Sequence, residues 1–249
     1  MGNFITKMRS AFLDEAKPVS GMPQLYDSLS KTLPEASFFY ITASPIQIVP
    51  FYNQFLDTNF PSATGPVFAQ NLTVASPIDV VDFFRNDERK ETHKLATIDL
   101  VRGRYPGKKW LMIGDSTERD PEIFGEAYVF FIPSRQLLLT VRSIRFRKQP
   151  SSVSCIWIRK VSGGNNTDAR FSAAFAGVPE GRIKVFEDSE MASLASVDVA
   201  GGACSPGGKG DSTLVGGSSD TSSGSLSDRT GGTTLALSIS FLLCMYMYL

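Results

Sequence analysis

Four acids crowd one short stretch of the chain. In LMIGDSTERDPEIFGEAY, Leu111–Tyr128, an apolar run stops at Gly114, and Asp115, Glu118, Asp120 and Glu122 follow within eight residues. Carboxylates this close repel one another by Coulomb's law. A hard divalent cation relieves that repulsion: Mg2+ takes one or two protein carboxylates and fills its other positions with phosphate and water oxygens. Asp115, just past the apolar run, is the candidate ligand. Asp120 opens a helix, with Pro121 well placed in its first turn, and Glu122 reads as an acid favoured by the helix dipole.

The elements around that stretch alternate. SFFYITASP is an apolar run ending in small polar residues, the pattern of a buried parallel strand. IQIVPFYNQFLDTN has apolar residues near helical spacing, despite Pro50. GPVFAQNLTV reads as a strand. ERKETHKLATIDLVRGRYP reads as a helix, with Leu95, Ile98 and Val101 at i, i+3 and i+6. KKWLMIGD is a strand, DPEIFGEAY a helix start and SVSCIWIRKV a strand. Strand and helix in alternation predict an α/β fold with a mostly parallel sheet. In an open parallel sheet, ligands bind beyond the carboxyl ends of the strands, which is where Asp115 falls.

Composition narrows the chemistry. The 249 residues suit one domain with an appendage, and 25 Lys plus Arg balance 25 Asp plus Glu. No global field therefore argues for nucleic acid. The three cysteines, Cys155, Cys204 and Cys244, are too scattered for a zinc pattern or a disulfide framework. A single histidine, His93, all but excludes histidine-based metal sites and Ser-His-Asp triads, and it reads as an ordinary surface or helix residue. No glycine-rich phosphate loop follows a strand, which weakens a mononucleotide-binding reading.

Near residue 198 the composition shifts. From Gly201 to Gly232 more than half the residues are Gly or Ser, and such a segment buries too little surface to offset its ordering entropy. The expected organisation is a folded unit over 1–190, a disordered linker over 191–232 and a hydrophobic tail over 233–249. The tail, TTLALSISFLLCMYMYL, carries no charge. As a helix it would span roughly 26 Å at 1.5 Å per residue, just short of a hydrocarbon core of about 30 Å. It reads as a short membrane anchor or as the tail of a lipid-anchor signal, and so predicts a membrane-associated, otherwise cytoplasmic protein. The lipid-anchor reading needs an N-terminal secretory signal, and MGNFITKMRSAFLDEA has no apolar centre. MGNFIT matches the loose myristoylation pattern of Gly2 followed by Thr6. Asn71 and Asn165 stand in glycosylation sequons, informative only for a secreted chain.

These residues carry a family resemblance. GDSTERD has the G-D-x4-D form of the fourth motif of haloacid-dehalogenase-like (HAD) phosphatases. ITASP resembles their second motif, and Lys94 their third-motif lysine. More narrowly, SGMPQLYDSL, FFYITASPIQIVPF, HKLATI, IGDSTERDPEIFGE and CIWIRKV, in that order, resemble the catalytic domain of the phosphatidate phosphatases linked to actin patches. The resemblance covers roughly Pro18 to Asp188. It implies a HAD-like Rossmannoid three-layer sandwich and Mg2+-dependent hydrolysis of phosphatidate to diacylglycerol and phosphate. It further implies that Thr42 hydrogen-bonds the phosphoryl group with help from Ser44. Lys94 would neutralise charge, Asp115 would hold Mg2+, and Asp120 would position the ion or its waters. A phosphoryl-transfer site is mostly positioning and electrostatic stabilisation, so these roles are chemically coherent.

Two departures qualify that expectation. The family's first motif is an apolar strand ending D-x-D-D-T, which supplies the nucleophile and the acid/base; this chain contains no D-x-D. A phosphatase that forms an aspartyl-phosphate should not turn over without it, which suggests a truncated gene model. The absent strand would be central, between those ending at Thr42 and Gly114, and its loss exposes two rows of backbone groups or forces a new pairing. The second departure is VFFIPSRQLLLTVRSIRF, Val129–Phe146, which interrupts the family pattern and reads as a retained intron or a membrane-touching insertion. A non-catalytic phospholipid-binding or scaffold protein, held at a membrane by its tail, is the alternative function.

Overall fold

The computed structural model describes residues 17–72, 86–129 and 152–208, and the backbone of 242–247. In chain order the elements are α1 (Met22–Thr32), β1 (Ser37–Pro45), α2 (Val49–Asn59) and β2 (Val67–Gln70). Then come α3 (Asp87–Arg104), β3 (Lys109–Asp115), α4 (Asp120–Val129) and β4 (Val153–Arg159). The last are α5 (Asp168–Ala174), β5 (Ile183–Phe186), α6 (Met191–Leu194) and β6 (Leu242–Met247). The strands form one sheet in the order β2-β1-β6-β3-β4-β5.

The strands' alternating side chains explain the layers. Tyr40, Leu111, Ile113 and Trp157 point to one face, where Leu25 and Leu29 of α1, Leu56 of α2 and Met191 and Leu194 of α6 cover them. Phe39, Ile41, Met112, Ile156 and Ile158 point to the other, against Ile98 and Val101 of α3, Phe124 of α4 and Phe171 of α5. A period of two in a strand splits one apolar run between two cores. The result is the three-layer α/β sandwich expected from the sequence.

β2 and β1, β3 and β4, and β4 and β5 pair in parallel. β6 is antiparallel to both its neighbours, with Ile41 opposite Leu242 on one side and Ile113 opposite Leu243 on the other. β1 and β3 therefore run in the same direction, and their carboxyl ends meet at the end where β6 begins.

Three expectations are corrected here. The tail over 233–249 was predicted to be helical, but residues 242–247 are a strand at the centre of the sheet. An uncharged apolar run suits a helix or a buried strand equally, and two unpaired strand edges favour the strand. Among the described residues no helix is long and apolar enough to cross a membrane. The linker predicted over 191–232 is likewise not a linker throughout. Met191, Leu194, Val197, Val199 and Ala203 are buried, so apolar residues tie the chain down before the Gly/Ser-rich composition takes over. Finally, two of the scattered cysteines do pair: Cys155 of β4 and Cys204 form a disulfide across 49 residues, with Cα atoms 5.5 Å apart. The rest of the linker, residues 209–232, and the proposed insertion beyond Val129 lie outside the described residues.

Candidate active site

Lys94 organises the end of the sheet. It lies in the first half of α3, whose N-terminus is capped by Asn86 accepting from the Arg89 amide at 2.9 Å. Its side chain is only 1% exposed, and its ammonium donates to Asp120 Oδ1 at 2.6 Å and to Glu118 Oε2 at 2.7 Å. Asp120, the first residue of α4, is wholly buried. Its Oδ2 accepts from the backbone N–H of Asp115 at 3.2 Å. Gly114 makes the room: a Cβ there would sit 2.6 Å from Asp120 Oδ2 and 2.9 Å from a ring carbon of Phe124.

The electrostatics follow from that burial. Desolvation pushes the Asp120 carboxyl up to about 6, with the charges of Asp115 and Glu118 adding to it, against the opposing pull of Lys94. For Lys94, burial disfavours the charged form, but the Asp120 and Glu118 carboxylates outweigh it and hold the ammonium above the ordinary lysine range. Lys94 is thus a fixed cation at the carboxyl end of β3.

The loop after β3 is pinned from several sides. Asp115 Oδ1 accepts from the Thr117 amide at 2.8 Å and from its hydroxyl at 2.5 Å. The Ser116 hydroxyl accepts from the Val161 amide at 2.9 Å. Arg170 of α5 contributes most. Its guanidinium donates to the carbonyls of Ser116 at 2.7 Å, Glu118 at 2.6 Å and Asn165 at 2.9 Å. It also grips Glu122 with two bonds, at 2.8 and 2.9 Å. Glu122, read from the sequence as a helix-dipole acid, is therefore the anchor of a bidentate pair. Burial opposes its ionised form, yet Arg170 outweighs burial and holds the carboxyl below the usual range.

A second group gathers on β1. Thr42 is buried, and its hydroxyl accepts from the Ser44 amide at 3.1 Å. Ser44 Oγ and the Tyr52 hydroxyl lie 2.6 Å apart. Burial raises the Tyr52 phenol; hydrogen bonds from Ser44 and Thr42 oppose that, and the Glu118 charge adds to it. The β1 group thus senses the Lys94 group electrically, but the first residues of β6 enter the sheet between Ile41 and Ile113.

The structure brings Lys94, Asp115 and Asp120 together and joins Thr42 and Ser44 of β1 with Tyr52 of α2. A cleft of about 290 Å³ opens beside Lys94, lined by Asp87, Lys90, Thr117, Glu118, Arg119 and Arg170. Thr42 and Asp115 are not among the residues lining this cleft. Asp120 has both oxygens engaged, by Lys94 and by the Asp115 amide. Among the described residues no three His, Cys, Asp or Glu groups gather to hold a metal. Mg2+ takes only one or two protein carboxylates, so the lack of a larger cluster leaves Asp115 as a candidate ligand. Each of the four cationic side chains at the cleft is ion-paired: Lys90 with Asp87, Lys94 with Glu118 and Asp120, Arg119 with Glu91, and Arg170 with Glu122.

Two contributors were missed in the sequence. Arg170 sits in NNTDAR, where nothing marks it, because all its partners but the Asn165 carbonyl lie about fifty residues away. Tyr52 reads as one more apolar position of an amphipathic helix.

Comparisons with known proteins give the chain's family. The family model described as the catalytic domain of phosphatidate phosphatase APP1 matches residues 2–143, ending inside the Val129–Phe146 segment. Phosphatidate phosphatase APP1 of Saccharomyces cerevisiae is 26% identical over 144 residues, which are 57% of this chain and 23% of that protein. The chain thus spans less than a quarter of the length of that relative. No solved structure matches it.

Proposed function

Because the chain belongs to the family of the phosphatidate phosphatase APP1 catalytic domain, we propose that it binds the phosphomonoester head of phosphatidate, or of a related phospholipid, at a membrane surface. The observation that carries this reading is Lys94, a buried ammonium held by Asp120 and Glu118 beside a cleft that Lys90, Arg119 and Arg170 also line. A fixed cation at a strand end stabilises a phosphate dianion and the charge that develops as phosphoryl leaves. Lys94 supplies that charge, Arg170 holds the loop that walls the cleft, and Thr42 with Ser44 supplies hydroxyl groups from β1.

Hydrolysis is a further step that this chain does not complete by itself. No D-x-D occurs in it, and β6 begins at Leu242 between β1 and β3, where the family's first motif would end. The expected Mg2+ would take Asp115 as its carboxylate, with Asp120, paired to Lys94, positioning the ion or its waters.

The test is binding before turnover. Inorganic phosphate should bind the chain, and Lys94→Met should weaken that binding by about tenfold or more, the scale of a charge-assisted hydrogen bond. Release of phosphate from phosphatidate with Mg2+ present should stay at background. Phosphate binding that ignores Lys94→Met sinks the site; rapid hydrolysis by this chain sinks the division between binding and turnover.

A further inference from the structure

The four cations of the cleft are not held alike. Lys94 is buried between two carboxylates. Arg170 spends its guanidinium on three carbonyls and both oxygens of Glu122. Lys90 pairs with Asp87 of its own helix, three residues away. Arg119 differs. It is 51% exposed, and its one ion pair among the described residues runs from a single terminal nitrogen to Glu91 Oε2 at 2.9 Å. Glu91 belongs to α3 and is not among the residues lining the cleft, whereas Arg119 is. The guanidinium therefore reaches from the cleft wall to a partner outside it.

The backbone beneath Arg119 is fixed. Arg170 holds the Glu118 carbonyl just before it, and Asp120 just after it is buried against Lys94. Its own carbonyl accepts from the Ile123 amide at 2.9 Å. The side chain is what is left to move. A guanidinium is a planar fork that grips phosphate through two parallel N–H···O bonds, and the contact with Glu91 uses one of its nitrogens. Glu91 itself is 19% exposed. Burial pushes its carboxyl above the usual range; Arg119 opposes this, and the charges of Glu126, Glu122 and Glu88 add to it. A carboxylate in such company is costly to leave without its cation.

We propose that Glu91 is an internal competitor for Arg119: the guanidinium rests on Glu91 when the cleft is empty and turns to the oxyanion of a ligand that enters beside Lys94. The inference rests on the phosphate reading of that cleft and adds the contact that regulates its affinity. An exposed ion pair contributes little, so an anion that offers charge-assisted bonds to the whole fork wins the guanidinium. Leaving the Glu91 charge among its acidic neighbours then lowers the net affinity. A cleft whose cations are all paired takes an anion in this way because three pairs stay and one exchanges.

The full chain and three variants, Glu91→Gln, Arg119→Met and the two combined, are titrated with inorganic phosphate at low ionic strength, and a thermal melt shows that each is folded. Arg119→Met should weaken phosphate about tenfold, the scale of a charge-assisted hydrogen bond. Glu91→Gln should tighten it about threefold, the scale of an exposed ion pair. The double-mutant cycle then isolates the competition. With Arg119 gone, Glu91→Gln should gain nothing, because no guanidinium remains to compete for. An equal gain with and without Arg119 would mean that Glu91 only repels the anion at a distance, and the inference is overturned. Phosphate binding that depends on Lys94 but ignores Glu91→Gln or Arg119→Met overturns it as well, and leaves the Lys94 reading standing. Should Arg119→Met perturb the fold, Arg119→Lys replaces it: the charge is kept, the fork is lost, and phosphate should again bind more weakly. If inorganic phosphate fails to bind the unaltered chain, the Lys94 reading falls first and takes this one with it.

Discussion

Strands β1 and β3 leave the sheet at the end where Thr42 and Asp115 sit and pass the chain to α2 and α4; β6 arrives at that same end, running the other way, from a part of the chain remote in sequence. β1 and β3 are built by local αβ succession, each buried on two faces by the helices that flank it. β6 is set by what its neighbours lack. Without it β1 and β3 would present two facing rows of unpaired backbone groups in the middle of an apolar sheet. The site is arranged around that seam. Lys94, Asp120 and Arg170 act from the β3 side, Thr42, Ser44 and Tyr52 from the β1 side, and β6 begins between them.

The largest effect should come from breaking the seam. Met245→Pro places a residue without an N–H in a central strand, where it removes a ladder hydrogen bond and is not tolerated. Removal of residues 242–249 should cost more again, because both ladders go. Urea unfolding checks the first, and amide hydrogen exchange checks the arrangement directly: the amides of 242–247 should be as protected as those of β3, with or without lipid vesicles. Rapid exchange in that segment, or its transfer into vesicles with β3 protection unchanged, would return it to the role of a membrane tail.

The next effect tests the β3 half alone. Lys94→Met leaves Asp120 as an uncompensated buried carboxylate, which for a broken buried pair costs roughly 3–5 kcal/mol. Converting Asp120 to Asn in the same chain should recover much of that loss, since the remaining amide is uncharged. A full loss in the double variant would mean that Lys94 stabilises the fold by packing its methylene stem rather than by charge.

The difference between the strands also marks what was legible in the sequence. β1, β3 and β4 were readable because each is an apolar run bounded by polar residues and followed by a helix signal. The acidic stretch from Asp115 was readable as a functional site because its charge density needs a counter-charge. That Lys94 pairs directly with Asp120 follows only from the fold. β6 could not be read, since an uncharged apolar run carries no period that separates strand, buried helix and membrane span. Nor could the Cys155–Cys204 bond, whose partners are brought together by β4 and by a segment that composition alone called a linker. Its loss should be felt in the β4 half of the sheet. Closing a loop of this length is worth roughly 4 kcal/mol in the chain-entropy account, and comparison of the oxidised and reduced chain in a thermal melt measures it.

The smallest effect concerns the clamp rather than the strands, and it separates the loop's positioning from the fold's stability. Arg170 and Glu122 are partly exposed, at 13% and 26%, so their bidentate pair is worth about 1 kcal/mol once solvent screening is allowed for. The sign with pH follows from Glu122. Its folded carboxyl sits below the usual value, so the contribution is fully present above the unfolded value of about 4.3 and is lost as pH falls through the lower folded one. Wild-type chain should therefore exceed Glu122→Gln in stability by about 1 kcal/mol at pH 7, with the gap closing below about pH 4. Phosphate binding at pH 7 should weaken more than so small a stability change explains, because Arg170 also holds the carbonyls of Ser116 and Glu118 that shape the cleft. A stability gap that persists at pH 3, or phosphate binding unchanged in Glu122→Gln, would show that Arg170 holds the loop without help from Glu122.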